Sequence, residues 1–256
     1  MTHPVSLRVW YVDVARVAPE LAEIERRCPR LSHDEEARAA AIAEPRDAEV
    51  WRTARIALRF LLESIVGAEM RRIPFAAGPD GKPRLAMGHG ALDFSLSHSA
   101  GHVLIGIADP GPVGVDLEQL RTVSLTVARR EALIAAAAVL VPGHSRDVGS
   151  GDGPLLQAWV RLEALAKARG SGIGPLLRDL GLVGNCRQQG AATGRAAAAL
   201  LRDTGLAVRD LALPAGLVAA VAASDRGASG IHALSFPAGH SRIAAPAGRS
   251  SRTATR

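Results

Sequence analysis

Residues 112–118 read PVGVDLE, a short apolar segment in which two carboxylates stand two positions apart. Side chains alternate between the two faces of a β-strand, so the three apolar residues are predicted to share one face and Asp116 and Glu118 the other. Neighbouring anions raise each other's pKa unless a positive charge lies between them. The pattern leaves two interpretations open: a strand face turned toward water, or a binding site for a divalent cation.

The segments that precede this one predict a meander that ends beside it. Residues 91–98 (ALDFSLSH), 102–108 (HVLIGIA) and 113–118 (VGVDLE) read as three β-strands, joined by the short turn-like links SAG and DPGP. In an up-down-up arrangement the first and third strands end at the same edge of a sheet. We therefore expect His98 to lie near Glu118, although a histidine at a strand end is more often a surface residue.

The rest of the chain mixes helical and strand periodicity. A first strand is predicted at residues 6–14 and a β-hairpin at 208–224, while turn formers mark 78–85 and 141–154 as loops. Amphipathic spacing, with Ser32 and Glu35 as a capping box in the first case, predicts helices at residues 32–43, 48–67, 124–140 and 155–168.

The bulk composition is that of an ordinary globular protein. Hydrophobic residues make up 48% of the 256 residues, which is ample for a core. The two cysteines, Cys28 and Cys186, have no metal or redox spacing. No apolar run is long enough to span a bilayer, and the N-terminal sequence lacks the pattern of a signal peptide. We therefore expect a cytoplasmic protein that does not associate with membranes.

The net charge of +6 comes mainly from the C-terminal segment. Five arginines and no acidic residue follow Asp225, so residues 1–225 carry a formal net charge of only +1. Aromatic residues are 3% of the chain, which leaves few platforms for base stacking. A nucleic-acid partner is therefore not expected. Segment 226–256 is rich in Ala, Gly, Ser and Pro and is predicted to be a disordered basic tail.

Lysine is almost absent from this chain. Of its 31 basic residues only Lys82 and Lys167 are lysines. Either these two positions need a compact ammonium rather than a planar guanidinium, or chance placed them. Glu163 and Lys167 are four residues apart on a predicted helix and share a face, a spacing that is by itself typical of a solvated salt bridge.

Four motifs occur in a characteristic order: GKPRL (81–85), FSLSHS (94–99), GVDLE (114–118) and WVRLEALAKARGSGI (159–173). Together they resemble the 4′-phosphopantetheinyl transferases of the long, two-lobed type, over about residues 5–224. The resemblance implies an α+β fold in which two similar α/β halves, residues 1–109 and 110–225, form a pseudo-dimer that acts as a monomer. The disordered tail, residues 226–256, would follow.

The resemblance also implies a reaction. Members of this family move 4′-phosphopantetheine from coenzyme A to a serine of an apo acyl or peptidyl carrier protein and release 3′,5′-ADP. The implied cofactor is Mg²⁺, held by Asp116, Glu118 and Glu163 together with the pyrophosphate of coenzyme A. Lys167 is expected to stabilise leaving-group charge, and Glu163 to help remove the serine proton. The implied catalytic residues are thus Asp116, Glu163 and Lys167.

Coenzyme A binding is assigned by the same resemblance. Ser97, His98 and Lys167 are expected to contact the phosphates of coenzyme A. Lys82, in GKPRL, and Arg52, in WRTAR (51–55), are expected to bind the 3′-phosphate side.

The chain departs from the family pattern at Leu162 and Ser95, and it lacks the aromatic pair that often precedes the helix tryptophan. Leu162 stands where the family has a lysine before the helix glutamate, and Ser95 stands where asparagine is usual. A lysine at position 162 is expected to reach the rim of the phosphate site. We expect either that Arg161 or Arg169 supplies part of the missing charge or that the site accepts weaker coenzyme A binding.

Three alternatives remain open from the sequence. A non-catalytic binder of coenzyme A or of a carrier protein could keep the same fold. A basic nucleic-acid-binding protein is favoured only by the tail. An unrelated Mg²⁺-dependent phosphotransferase is the third, although the chain lacks the P-loop pattern.

Overall fold

The computed structural model describes residues 6–78, 81–85, 92–141, 151–183, 190–225 and 231–236. This part of the chain has a mixed α+β fold. Its strands are β1 Ser6–Asp13, β2 Ala76–Ala77, β3 Pro83–Arg84, β4 Asp93–Ser99, β5 His102–Asp109, β6 Val113–Gln119, β7 Leu206–Asp210, β8 Leu217–Ser224 and β9 Ala233–Ser235. Its helices are α1 Val14–Arg27, α2 His33–Ala40, α3 Pro45–Val66, α4 Val127–Ala138, α5 Asp152–Arg169, α6 Ile173–Asp179 and α7 Gly190–Thr204, with a 3₁₀ turn at Ala68–Met70.

Two main sheets organise the described chain. The first has the strand order β4-β5-β1-β9, in which β5 runs antiparallel to both neighbours and β9 runs parallel to β1. Helices α1 and α3 cover one face of this sheet and share a core with it. The second sheet has the order β6-β8-β7, antiparallel throughout, and α4, α5 and α7 form a separate core against it.

The two sheets contact each other through a third apolar cluster. The predicted apolar face of the PVGVDLE segment lies in it: Val113, Val115 and Leu117 are at most 1% exposed and pack against first-sheet residues such as Val9 and Leu104. On the helix side, a Cβ at Gly114 would overlap the α5 backbone. Strand β6 is therefore held closely between the first sheet and helix α5.

Most of the predicted helices and strands are present. Helix α3 corresponds to the helix predicted at 48–67, α5 to that at 155–168, and the predicted hairpin at 208–224 is β7 and β8. The Ser32–Glu35 capping box is confirmed. Of the loop predicted at 141–154, residues 152–154 begin α5, and residues 142–150 lie outside the described residues.

The predicted three-stranded meander is wrong in its last strand. β4 and β5 form a hairpin, but β6 pairs with β8 of the second sheet. Residues 110–112 carry the chain out of the first sheet, where β5 already has β1 as its second neighbour. The pairing partner of β6 is about a hundred residues distant in sequence, so local patterns do not predict it.

The prediction of a disordered tail is wrong for residues 231–236. Ala233, Leu234 and Ser235 pair with β1 as strand β9, and Phe236 is 5% exposed in the core of the first sheet. The remainder of the predicted tail, residues 226–230 and 237–256, lies outside the described residues. The similarity of two halves joined near residue 109 stays a prediction.

Within the described ranges, no helix combines the length and the apolar character needed to cross a membrane.

Candidate functional site

Side chains of β4 join β6 across the boundary between the two sheets. Ser95 Oγ accepts a hydrogen bond from the Val115 backbone N–H at 3.1 Å, and Ser99 Oγ accepts one from that of Gln119 at 3.2 Å. Residues two apart lie on the same face of a strand, so one face of β4 supplies both acceptors. We call this contact the β4–β6 seam.

The same seam holds the two carboxylates of β6. Ser97 Oγ donates to Asp116 Oδ1 at 2.6 Å, and Ser99 Oγ donates to Glu118 Oε2 at 3.0 Å. Asp116 is only 6% exposed. The interpretation of these carboxylates as a strand face turned toward water is therefore wrong for Asp116.

Helix α5 brings a cation to this pair of carboxylates. Lys167 Nζ donates to Asp116 Oδ1 at 2.7 Å and to the Val115 carbonyl oxygen at 3.2 Å. Glu163 lies one helical turn earlier and has no hydrogen-bond partner among the described residues. Its pKa is raised, first by burial and then by Asp116, while Lys167 lowers it and Glu118 raises it. The three predicted carboxylates and Lys167 therefore share one electrostatic site.

The donor set of this site fits a hard divalent cation. Within the described residues, no three His, Cys, Asp or Glu side chains already form a metal-ligand group, and Lys167 occupies an oxygen of Asp116. Mg²⁺ is usually bound by one or two carboxylates, with waters and substrate phosphates completing its shell, so three preformed protein ligands are not needed. Asp116, Glu118 and Glu163 supply only oxygen, which is the ligand atom that Mg²⁺ prefers.

An open cavity of about 220 Å³ lies next to the carboxylates. Three of its lining residues carry or can carry a positive charge: Arg55 from α3, His98 from the end of β4, and Lys167 from α5. Ser97 also lines it, together with Trp51, Ala54 and Leu96. A second cavity of about 480 Å³ shares His98 with the first. The lining of the 220 Å³ cavity is therefore suited to binding an anion.

His98 is exposed at the rim that joins the two cavities. The protein packed around its ring is still enough to lower its pKa, and Lys167 and Arg55 lower it further, against Asp47 and Asp116. A neutral imidazole can both donate and accept a hydrogen bond, so His98 can orient a ligand without adding a fixed charge.

The amino-acid sequence is similar to those of several known proteins. No protein-family model matches the chain. It is 31% identical over 149 residues to a Synechocystis protein provisionally named as a 4′-phosphopantetheinyl transferase, which covers 56% of this chain and 58% of that protein. It is 26% identical to the 4′-phosphopantetheinyl transferase psf-1 of Bacillus pumilus, over 59% of this chain and 63% of the relative. It is 28% identical to the 4′-phosphopantetheinyl transferase HetI of Nostoc, over 67% and 71%.

The chain is thus similar in sequence to several 4′-phosphopantetheinyl transferases. It spans about 60% of the length of the first two of these curated relatives. The residues carried over from this family's motifs fall into two groups. Asp116, Glu118, Glu163 and Lys167 lie together, and Ser97 and His98 line the adjoining cavity.

Two other residues carried over from the transferases lie elsewhere. Lys82 Nζ donates to Asp93 Oδ2 at 2.6 Å and to the Val113 carbonyl oxygen at 2.8 Å. On β6, Val113 is three positions from Asp116, about 10 Å at the rise of a strand. Arg52 pairs with Glu36 of α2. Neither Lys82 nor Arg52 is among the described residues that line the 220 Å³ cavity.

The expectation for position 162 is wrong. Leu162 is 0% exposed and belongs to the core of the second sheet, so a lysine there would not reach the rim of a phosphate site. Arg161 cannot supply the missing charge, because it is 4% exposed and both its Nε and Nη2 donate to Asp210, at 2.8 and 2.5 Å. Arg169 pairs instead with Asp179.

Two site residues escape a reading of the sequence alone. Arg55 lies in the same WRTAR segment as Arg52, and only the tertiary structure shows which of the two faces the cavity. Ser99 follows His98 in the FSLSHS motif and donates a hydrogen bond to Glu118. The alternation of Ser95, Ser97 and Ser99 along one strand face was the available signal for it.

Proposed function

We propose that this chain transfers the 4′-phosphopantetheinyl group of coenzyme A to a serine hydroxyl of an apo acyl or peptidyl carrier protein and releases 3′,5′-ADP. One observation carries the proposal: Lys167, which lines the cavity together with Arg55 and His98, is ion-paired with buried Asp116 in the site that also holds Glu118 and Glu163. The names of the relatives support the same reaction. A cytoplasmic location and a monomeric state stay predictions.

Lys167 is placed to stabilise the leaving group. An ammonium has three N–H donors. Two of them bond Asp116 and the Val115 carbonyl, which fixes the position of Nζ and leaves one donor for a substrate phosphate. In phosphoryl transfer, such prepositioned charge supplies a large part of the rate acceleration.

Glu163 is the candidate proton acceptor. Its raised pKa makes its carboxylate a stronger base than an ordinary glutamate, and its lack of a hydrogen-bond partner among the described residues leaves both oxygens available. It would take the proton of the attacking serine, directly or through one water. A Mg²⁺ ion held by Asp116, Glu118 and Glu163 would neutralise charge on the pyrophosphate of coenzyme A.

The intact mass of an apo carrier protein tests this proposal. Incubation with the chain, coenzyme A and Mg²⁺ should add one phosphopantetheinyl group, and Lys167→Gln should slow the addition by at least about a hundredfold. Arg178→Gln, on α6, is the matched control for loss of one positive charge. Unmodified carrier, with coenzyme A bound normally, would instead favour a non-catalytic binder on the same fold.

A further inference from the structure

The outer edge of strand β6 is hydrogen-bonded to side chains of the first sheet. β6 is an edge strand of the second sheet, whose order is β6-β8-β7. In an antiparallel pair, alternate residues direct their N–H and C=O groups away from the partner strand. Three outward N–H groups of β6 donate to side chains on one face of β4: Val113 to Asp93, Val115 to Ser95 and Gln119 to Ser99. The carbonyl groups of this edge need donors of their own.

The two lysines of the chain supply those donors. Lys82 Nζ donates to the Val113 carbonyl oxygen at 2.8 Å, and Lys167 Nζ donates to that of Val115 at 3.2 Å. Each ammonium also donates to a carboxylate, which for Lys82 is Asp93 Oδ2 at 2.6 Å. A compact ammonium can bond a carbonyl and a carboxylate that lie close together, so both positions suit lysine better than the arginine used elsewhere in the chain.

Lys82 is enclosed and paired. Its side chain is 9% exposed, and that of Asp93 is 16% exposed. Asp93 Oδ2 also accepts the Val113 backbone N–H at 2.9 Å, so Val113 is held at both its N–H and its C=O group. We call the contact of Lys82, Asp93 and Val113 the β6 clasp. Removing one partner of such an enclosed ion pair leaves the other charge uncompensated, so the clasp is costly to open.

The β6 clasp lies at the start of the strand that carries the carboxylates of the site. Val113 directly follows residues 110–112, which carry the chain out of the first sheet. Asp116 comes three positions later, about 10 Å at the rise of a strand. Lys167 connects the carbonyl of Val115 to Asp116. A shift at the start of β6 therefore displaces Val115 and changes the contact between Lys167 and Asp116.

We propose that Lys82 is a positioning residue that fixes the start of β6, and thereby Asp116 and Glu118, and that it is not a ligand of the 3′-phosphate of coenzyme A. The proposal rests on the proposed function. The ammonium of Lys82 is directed to Asp93 and Val113, and Lys82 is not among the described residues that line the 220 Å³ cavity. Its effect is on the geometry of the carboxylates and not on recognition of the nucleotide.

Two forms of coenzyme A distinguish a clasp from a phosphate ligand. Coenzyme A and dephospho-coenzyme A, which lacks the 3′-phosphate, are titrated calorimetrically in EDTA into the wild-type chain, Lys82→Met and Asp93→Ala. The ratio of the two dissociation constants should stay within about twofold of the wild-type ratio in both variants, because neither residue contacts the phosphate. Loss of about tenfold in affinity for coenzyme A alone, in Lys82→Met but not in Asp93→Ala, would overturn the proposal.

The rate and the metal separate positioning from general stability. At a temperature well below every thermal midpoint, Lys82→Met and Asp93→Ala should each weaken Mn²⁺ binding and lower kcat by about fivefold or more, with KM for coenzyme A nearly unchanged. The double variant should be no worse than the more affected single variant, because both substitutions open one clasp. Arg178→Gln, on α6, is the matched control for loss of a positive charge. Lower thermal midpoints with wild-type Mn²⁺ affinity and kcat would overturn the proposal.

A single variant that does not fold is replaced by the double variant Lys82→Met/Asp93→Ala, which leaves neither charge of the clasp unpaired.

The two lysines also allow a spectroscopic test. Labelling of lysine side chains with ¹³C gives two Cε signals, which Lys82→Met assigns. Coenzyme A should shift the signal of Lys167 and leave that of Lys82 in place. A comparable shift of the Lys82 signal would make it a ligand and overturn the proposal.

Failure of the proposed function gives a different result. The wild-type chain would then bind neither form of coenzyme A and would transfer nothing. The clasp is still tested by the two signals, because Asp93→Ala should shift that of Lys82 and, through β6, that of Lys167. An unmoved Lys82 signal would contradict the clasp, and an unmoved Lys167 signal would contradict its effect on the site.

Discussion

At the scale of single residues, Glu163 is the carboxylate of the site whose charge is least compensated. Asp116 receives hydrogen bonds from Ser97 and Lys167, and Glu118 receives them from Ser99 and, at 3.5 Å, from Arg121. Glu163 has no such donor among the described residues, and burial with the two neighbouring acids raises its pKa. A carboxyl group with a raised folded-state pKa stabilises the fold at low pH, and that stability is lost as the pH rises through the folded-state pKa.

Glu163→Gln should therefore raise the thermal midpoint of the metal-free protein by a few degrees at pH 7, because it removes an ionised carboxylate that the fold disfavours. The advantage should vanish below about pH 4, where the unfolded chain and the native protein both hold the proton. Thermal unfolding in EDTA from pH 4 to pH 8 measures it. A variant less stable than the wild type at pH 7 would contradict this account of Glu163.

Leu162 shows how one buried position decides between packing and substrate binding. The side chain is 0% exposed in the core between α5 and the second sheet. Leu162→Lys should lower the free energy of unfolding by about 3 kcal/mol or more, since it places an unpaired ammonium in that core. Leu162→Met, which nearly conserves volume, should cost less than about 1.5 kcal/mol.

Urea unfolding followed by circular dichroism measures both variants. A Leu162→Lys protein with wild-type stability and tighter coenzyme A binding would restore the family expectation that the structure contradicts.

At the scale of secondary-structure elements, the β4–β6 seam joins folding to the site. Ser95 and Ser99 make the same kind of bond, each accepting a backbone N–H of β6, but only Ser99 also donates to a carboxylate of the site. Substitutions at Ser95 and Ser99 can therefore distinguish two roles: both residues hold strand β6, but only Ser99 also positions Glu118. Hydrogen-bond partners of metal ligands commonly change metal affinity by about tenfold or more when removed.

We expect Ser95→Ala to cost about 1–2 kcal/mol of stability, because it leaves a buried backbone donor of β6 without its acceptor, and Ser99→Ala to cost less, because water can reach the exposed Gln119 N–H. Only Ser99→Ala should also weaken Mn²⁺ binding, by about tenfold, and Ser99→Thr should restore it. Calorimetric titration with Mn²⁺, alongside thermal unfolding, distinguishes the two effects. If both alanine variants weakened Mn²⁺ equally, Ser99 would act through strand packing alone.

The elements also show what a sequence can predict. The helices α3 and α5 are predictable because their apolar residues recur at helical spacing, and the start of α2 because Ser32 and Glu35 cap it locally. Helix α1 was missed, since it has no side-chain cap and contains Pro19. The partner of β6 was mispredicted because strand pairing between distant segments leaves no local signal.

The candidate site likewise contains residues that local motifs predict and residues that only tertiary contacts identify. The carboxylates and Lys167 were predictable because their motifs keep their spacing on β6 and α5. The sequence does not predict which of Arg52 and Arg55 lines the cavity, because the two residues are three positions apart and lie on one helix face. Glu36 of α2 binds Arg52 and so decides which arginine remains for the cavity.

At the scale of the whole molecule, the two sheets are joined by more than the seam. The apolar cluster between them contains Leu104 of β5 and Val221 of β8. Strand β9 then returns from the second sheet to pair with β1, and Phe236 packs against Phe60 with ring centroids 5.9 Å apart. The candidate site lies where the sheets meet, so its geometry depends on contacts from both ends of the chain.

The two ends of the predicted tail should therefore respond differently to truncation. Removal of residues 237–256, whose composition offers little apolar surface to bury, should leave the thermal midpoint and the transfer rate within about twofold of the full chain. Removal of residues 226–256 also deletes β9 and Phe236, which is 5% exposed, and should cost about 3 kcal/mol or more. Phe236→Ala in the full chain should account for most of that loss.

Thermal unfolding and carrier-protein mass, measured on the two truncated chains and on Phe236→Ala, check this prediction. Residues 237–256 carry four of the arginines, so a rate that falls on their removal only at low salt would mean that they steer an acidic carrier protein to the site. Equal stability of the two truncated chains would contradict the role assigned to β9, because it would mean that the strand does not stabilise the first sheet.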